Sequence, residues 1–138
     1  MKNQSKTDNL YMDIADRASR ESYCVRAKVG SVIVTPDLVT LVGYNGTVKG
    51  AENACELDNG TTDPSVIHAE TNALAKALNA GVSTKGSTIY ITLSPCVQCS
   101  KLIKQAGVCR VVYRDDYRCT AGIDFLRKHG VQVDKHRH

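Results

Sequence analysis

The 138 residues suffice for one core of ordinary size, so a single domain over residues 1–138 is expected. A hydrophobic share of 42% and a charged share of 23% are ordinary for a globular chain; no apolar run approaches the roughly 20 residues of a membrane helix, and the polar start from Met1 to Asp8 lacks a signal-peptide core, so a cytoplasmic protein without membrane attachment is expected. The net charge of +4 suits a small anionic ligand, while the absence of Trp, an aromatic share of 5% and the lack of any basic block argue against a nucleic-acid surface.

In chain order, Thr7 or Asp8 can cap a first helix with Leu10, Ile14 and Ala18 on one stripe. Residues 29–35, VGSVIVT, read as a buried strand closed by a turn at Pro36-Asp37, and residues 38–43 return as its antiparallel partner. The break at Gly43-Tyr44-Asn45-Gly46 leads into a polar stretch, 47–64, read as a loop with room for one helical turn. A helix is predicted from near His68 to Ala80, with Ala73, Leu74, Ala77 and Leu78 facing the core and Gly81 as its stop. Residues 87–93 form a third strand, and Ser94 and Pro95 suit the N-cap and first turn of a helix over 96–106 that Gly107 ends. A fourth strand over 108–113, a helix over 120–129 and a short strand over 131–133 complete the pattern. Strands alternating with helices predict a layered α/β domain.

The six cysteines are even in number, yet a reducing compartment and the pairing Cys96-x-x-Cys99 favour metal or redox chemistry over three disulfides. Cys24, Cys55, Cys109 and Cys119 lack paired spacing and read as structural or incidental; His129 and His136 to His138 read as surface residues. His68-Ala69-Glu70 precedes Pro95-Cys96-Val97-Gln98-Cys99. One imidazole and two thiols suit a tetrahedral Zn²⁺ whose fourth position stays open, the mark of a catalytic rather than a structural site. Both motifs sit where a helix begins, so two helix N-termini can aim at one point, and their positive ends favour thiolates. A water completing such a site is acidified, from about 15.7 to near 7 in the best-studied zinc enzyme. Glu70 is then the natural carrier of its proton to a leaving amine. H-x-E with P-C-x-x-C is the known signature of zinc deaminases. Each half is weak alone: a lone C-x-x-C also fits a redox pair, and Cys99 shares an apolar stripe with Leu102, Ile103 and Ala106 that would suit a plain buried thiol.

His68-Ala69-Glu70 with Asn72-Ala73, Thr92-Leu93-Ser94-Pro95-Cys96, Lys101-Leu102-Ile103 with Gln105-Ala106-Gly107, and Val111-Val112-Tyr113 together resemble the deoxycytidylate deaminase family. Val29-Gly30-Ser31-Val32-Ile33 and Gly43-Tyr44-Asn45-Gly46 also match, so the resemblance spans about residues 29–133. It implies a cytidine deaminase-like three-layer α/β/α sandwich around a five-stranded mixed sheet. The implied reaction is zinc-dependent hydrolysis of dCMP to dUMP and ammonia, which supplies the precursor of dTMP. Carried onto this chain, the resemblance makes His68, Cys96 and Cys99 the zinc ligands and Glu70 the catalytic proton carrier. It also puts Asn45 on the deoxyribose, Tyr117 on the nucleotide pocket, and backbone groups of Ala69 and Ser94 on the cytosine edge. Without it, a plain turn at Asn45-Gly46 is the alternative. Arg26 and Lys28, two cations before the first strand, are candidate phosphate contacts, with plain solvated charges as the alternative.

Many members of the family are homohexamers activated by dCTP and inhibited by dTTP, with Mg²⁺ on the triphosphate. Gly43, Tyr44, Asn45, Gly46 and Lys49 thereby become candidate effector residues. The stretch between Gly46 and His68 lacks the long insertion and second zinc of some members, so one zinc per subunit is expected. The rival readings are a deaminase of the same fold acting on dCTP, free cytidine or a tRNA base, a non-catalytic module with a structural zinc, and a nucleic-acid-binding domain.

Overall fold

Near-continuous burial along the central strands gives the sheet two apolar faces, and each is covered by helix. The computed structural model describes residues 2–137. Its elements are α1 Lys2–Ser19, β1 Gly30–Val34, β2 Thr40–Tyr44, α2 Ala69–Ala80, β3 Thr88–Leu93, α3 Val97–Gln105, β4 Arg110–Asp115, α4 Ala121–Lys128 and β5 Gln132–Lys135. The strands form one sheet in the order β2-β1-β3-β4-β5. β1 runs antiparallel to both β2 and β3, whereas β3, β4 and β5 are parallel. Ile33, Ile89, Ile91, Val111, Tyr113 and Val133 point to one face and pack with Ala73 and Leu74 of α2, Ile103 of α3, and Ile123 and Leu126 of α4. Val32, Val34, Tyr90 and Val112 point the other way, onto Met12 and Ala15 of α1. The expected three-layer sandwich on a five-stranded mixed sheet is thus present, with one helix on one side and three on the other.

Two glycines let the helices approach closely. A Cβ on Gly43 would lie 2.5 Å from the Ala69 carbonyl oxygen and 2.7 Å from the Ala73 nitrogen, so β2 and the first turn of α2 touch backbone to backbone. A Cβ on Gly122 would collide with the Pro95 carbonyl, which brings α4 directly onto the segment leading into α3. Both contacts set where a helix begins.

Several expectations are corrected. α1 starts well before Thr7, and its buried stripe is Met12, Ala15 and Ala18, with Leu10 left 55% exposed. Leu78 is 81% exposed and not a core residue; Ala73, Leu74 and Ala77 carry the face of α2. The stretch 47–64 contains no helical turn and is ordered instead by a bridge between Glu56 and Thr62. The N-cap of α3 is Cys96 rather than Ser94. Cys24 and Cys55, expected to be structural or incidental and without a pairing, form a disulfide across 31 positions of sequence; separation along the chain carries no signal for a pairing made by a loop folding back. His136 is buried and bonds through Nε2 to the Asn9 side chain at 2.7 Å, whereas His138 lies outside the described residues.

Asp8 is not a cap but the anchor of α1. Arg110 of β4 donates to both its oxygens, at 2.9 and 2.8 Å, and the Tyr90 hydroxyl donates at 2.7 Å. Arg110 also holds Asp134 at 2.8 Å. Burial pushes the Asp8 carboxyl up, but the bonds from Arg110 and Tyr90 outweigh it and hold it below the ordinary value. A depressed value means that the carboxylate's contribution is complete above the unfolded value, near 4, and fades as pH falls through the folded one. Asp8→Asn should therefore cost about 2 kcal/mol at neutral pH in urea unfolding, and the gap to the parent should narrow below about pH 4.

Candidate metal centre and active site

The amino ends of α2 and α3 meet beside the carboxyl end of β3, the end of a mixed α/β sheet where ligands settle. His68 is the N-cap of α2 and Cys96 that of α3, so the residue before each helix points into the gap between them. His68 Nδ1 lies 3.2 Å from Cys99 Sγ and 3.7 Å from Cys96 Sγ. The three donor atoms all fall within 4.8 Å of one another, a spacing one ion can bridge. The Cys99 amide, an unsatisfied donor of the first helical turn, donates to Cys96 Sγ at 3.5 Å.

The electrostatics fit a cation. The hydrogen bond from Cys99, followed by that from His68, pulls the Cys96 thiol down to about 3. The same contact with Cys96, helped by burial, pushes the Cys99 thiol well above its ordinary value. A dication bound here would hold both sulfurs as thiolates. The bond to Cys96 raises the His68 imidazole, so the imidazole too is held where a positive charge is favoured. Two sulfurs and one imidazole nitrogen form a set that suits zinc. A second cluster, Cys24, Cys55 and Glu56, also comes within 4.8 Å, but the disulfide has consumed both of its sulfurs.

A cavity of about 330 Å³ opens over this cluster, in the size range of small-molecule sites. Glu70, 3% exposed, reaches it from the first turn of α2, and burial pushes its carboxyl up to about 7. A carboxyl there can both take and give a proton near neutrality. Ala69, Ser94, Asn45 and Tyr117 also line the cavity. The Ala69 carbonyl accepts from the Ser31 hydroxyl at 2.8 Å, and the Ser94 amide donates to the Asp115 carbonyl at 2.9 Å. Among the described residues this leaves the Ala69 amide and the Ser94 carbonyl, one donor and one acceptor, without a protein partner. The Ser94 hydroxyl accepts from the Tyr117 amide at 2.7 Å and ties the loop after β4 to the site.

The remaining expected residues divide by where they lie. Asn45 is buried and its amide bridges two backbone groups, accepting from Val29 N at 2.9 Å and donating to the Ala27 carbonyl at 2.8 Å. Arg26 borders the cavity, but Lys28 turns away and donates to the Ser22 carbonyl at 2.6 Å. The second guanidinium at the rim is Arg118, which sequence reasoning passed over although it adjoins Tyr117. Glu56, also passed over, lines the same cavity. The run Gly43 to Gly46 frames α2: Gly43 packs on Ala69, the Tyr44 carbonyl accepts from Asn72 at 2.8 Å, and Gly46 pairs with Ile67. Lys49 is exposed on the loop beyond.

Fold and donor set together define a zinc-dependent hydrolase with a cytidine deaminase-like fold. Residues 5–115 match the cytidine and deoxycytidylate deaminase zinc-binding region. The deoxycytidylate deaminase of Enterobacteria phage T4 is 32% identical, with 88% of this chain and 86% of that protein aligned. The Schizosaccharomyces pombe deoxycytidylate deaminase is 33% identical over 91% of this chain but only 42% of its own length. A crystal structure of the dCMP deaminase of cyanophage S-TIM5, in complex with dCMP and dUMP, superimposes with a TM-score of 0.90 at 46% identity, covering 94% of this chain and 96% of that one. The chain belongs to the cytidine and deoxycytidylate deaminase family.

Purified protein should carry about one zinc per chain by elemental analysis, and Cys99→Ser should lose most of it while retaining the far-ultraviolet circular dichroism of the parent.

Proposed function

We propose that this protein deaminates dCMP to dUMP and ammonia, with zinc held by His68, Cys96 and Cys99 and Glu70 as the catalytic proton carrier. The observation that carries the proposal is one cavity joining the His/Cys/Cys cluster and a buried carboxyl to a rim bearing two guanidinium groups. The likeness to a structure solved with dCMP and dUMP supports the same substrate. Zinc supplies the Lewis acidity that activates a water for attack at C4 of the base. This chain's residues do the rest. The Glu70 carboxylate carries the attacking water's first proton to ring nitrogen N3 and its second to the amino group, which leaves C4 as ammonia while the C4 carbonyl forms. The Ala69 amide and the Ser94 carbonyl match a pyrimidine edge that presents a carbonyl acceptor and an amino donor. Asn45 retains one amide hydrogen for the sugar, the Tyr117 ring walls the pocket, and Arg26 and Arg118 receive the 5′-phosphate. In this assignment Arg118 takes the place that Lys28 was expected to fill.

We also propose that the chain acts as one domain in a cytoplasmic setting, the place of its nucleotide substrate; among the described residues no helix is long and apolar enough to cross a membrane. Regulation by dCTP and dTTP, Mg²⁺ on the triphosphate and a homohexamer as the working unit rest on the family resemblance. Because Gly43 is packed against α2, an effector would read this region through Tyr44, Gly46 and Lys49.

Ammonia release from dCMP by the zinc-loaded protein tests the reaction, and turnover restricted to dCTP, free cytidine or tRNA would replace the substrate. Glu70→Gln should lower kcat by at least about a hundredfold with zinc content unchanged. Added dCTP should raise turnover at low dCMP concentration; indifference to it would remove the effector site.

A further inference from the structure

The rim of the cavity poses a problem of order. Arg26 sits in residues 21–29, which contain no helix or strand, yet a guanidinium that is to recognise an anion must be held in place before the anion arrives. The backbone around it is fastened from outside. Glu56 Oε2 accepts from two consecutive amides, Val25 N at 3.0 Å and Arg26 N at 3.2 Å. The adjacent Cys55 packs against Cys24, with the two Cα atoms 5.1 Å apart, and this closeness of the two loops keeps the carboxylate beside those amides whether the sulfurs are joined or reduced. Glu56 is itself set by a small ordered turn: it bridges Thr62, the Leu57 amide donates to the Thr61 carbonyl at 2.7 Å, and the Asp63 amide donates to the Cys55 carbonyl at 2.7 Å. From the far side of the turn, Thr62 Oγ1 accepts from Arg26 Nη1 at 3.5 Å. Asn45 completes the clasp just beyond, through the Ala27 carbonyl and the Val29 amide.

We propose that Glu56 is the positioning residue of the anion-recognising rim: it clamps the Val25 and Arg26 backbone and thereby sets the preference for a phosphorylated over an unphosphorylated nucleoside. The inference rests on the reading of Arg26 as a phosphate contact. A carboxylate lining a cavity meant for an anion would by charge alone repel that anion. Here Oε2 is directed onto two backbone donors, and the gain from a fixed guanidinium exceeds the repulsion. Removing the side chain must therefore weaken phosphate binding, although removing its charge would by itself strengthen it. The sign of the effect separates a clamp from a competing anion.

The experiment is calorimetric titration of the zinc-loaded protein with dUMP and with deoxyuridine, for the parent, Glu56→Ala and Glu56→Gln. Glu56→Ala should weaken dUMP binding about tenfold and leave deoxyuridine within about twofold, the unchanged nucleoside showing that fold and metal site are intact. Glu56→Gln keeps an oxygen that can accept from both amides and should stay within about threefold of the parent on dUMP. Glu56→Ala binding dUMP as well as the parent or better would overturn the proposal and make Glu56 a competing anion. Equal losses on both ligands would overturn it too, in favour of a general structural role. A parent that binds dUMP no better than deoxyuridine would overturn the phosphate reading itself, independently of either variant.

Discussion

The site depends on where α2 begins. Its first residue must bring the His68 imidazole to two sulfurs on another helix, and a displacement of about 1.5 Å, one residue's rise, would undo that. Three kinds of contact hold the helix end. The Ser31 hydroxyl from β1 donates to the Ala69 carbonyl, Asn72 donates to the Tyr44 carbonyl, and Lys76 donates to the Val42 carbonyl at 2.6 Å. Gly43 permits the approach by having no side chain. Every one of these partners lies on β1 or β2, the antiparallel part of the sheet. The parallel part delivers α3 and the loop after β4. The metal cluster therefore forms at the seam between the two halves, and each half contributes ligands the other lacks.

Burial and charge are arranged in layers outward from that seam. At the bottom, Glu70 is buried enough for its carboxyl to titrate near neutrality, beside the two thiols. Above it stand neutral polar groups: the Ala69 amide, the Ser94 carbonyl and the half-buried Tyr117. At the mouth are two guanidinium groups with Glu56 behind one of them. An amphiphilic ligand with a flat polar ring at one end and an anion at the other meets each layer with its complement. On the opposite face of the sheet, the cluster of Asp8, Arg110, Tyr90 and Asp134 fastens α1 without touching this cavity, so stability and chemistry draw on separate polar networks.

What could be read in advance divides along physical lines. The strands were legible because a short apolar run is a local signal, and β1, buried at all five positions, carries Val32, Ile33 and Val34 in succession. α2 was legible from its apolar spacing and from Gly81, which ends it in a left-handed conformation at φ 68°. Its face was misjudged at Leu78, because the helix lies with Ala73 and Ala77 against the sheet and the next apolar position rolls outward. Ser94 looks like a cap from its type and place, but the Tyr117 amide claims its hydroxyl and leaves Cys96 to cap the helix. Lys28 and Arg118 are placed for a similar reason: which of several loop cations faces a cavity depends on backbone partners far away in sequence.

The sequence by itself determined which reactive groups meet, because His68, Glu70, Cys96 and Cys99 bring an imidazole, a carboxyl and two thiols and their spacing places each at a helix start. It determined the order of strands and helices for the same reason, since periodicity and punctuation act over a few residues. Only the tertiary structure decided how the site is bounded. It joined Cys24 to Cys55, set Glu56 on the Arg26 backbone, and turned Arg118 toward the cavity and Lys28 away from it. Those outcomes are contacts between loops distant along the chain, where no local period exists and only the folded geometry settles which donor meets which acceptor.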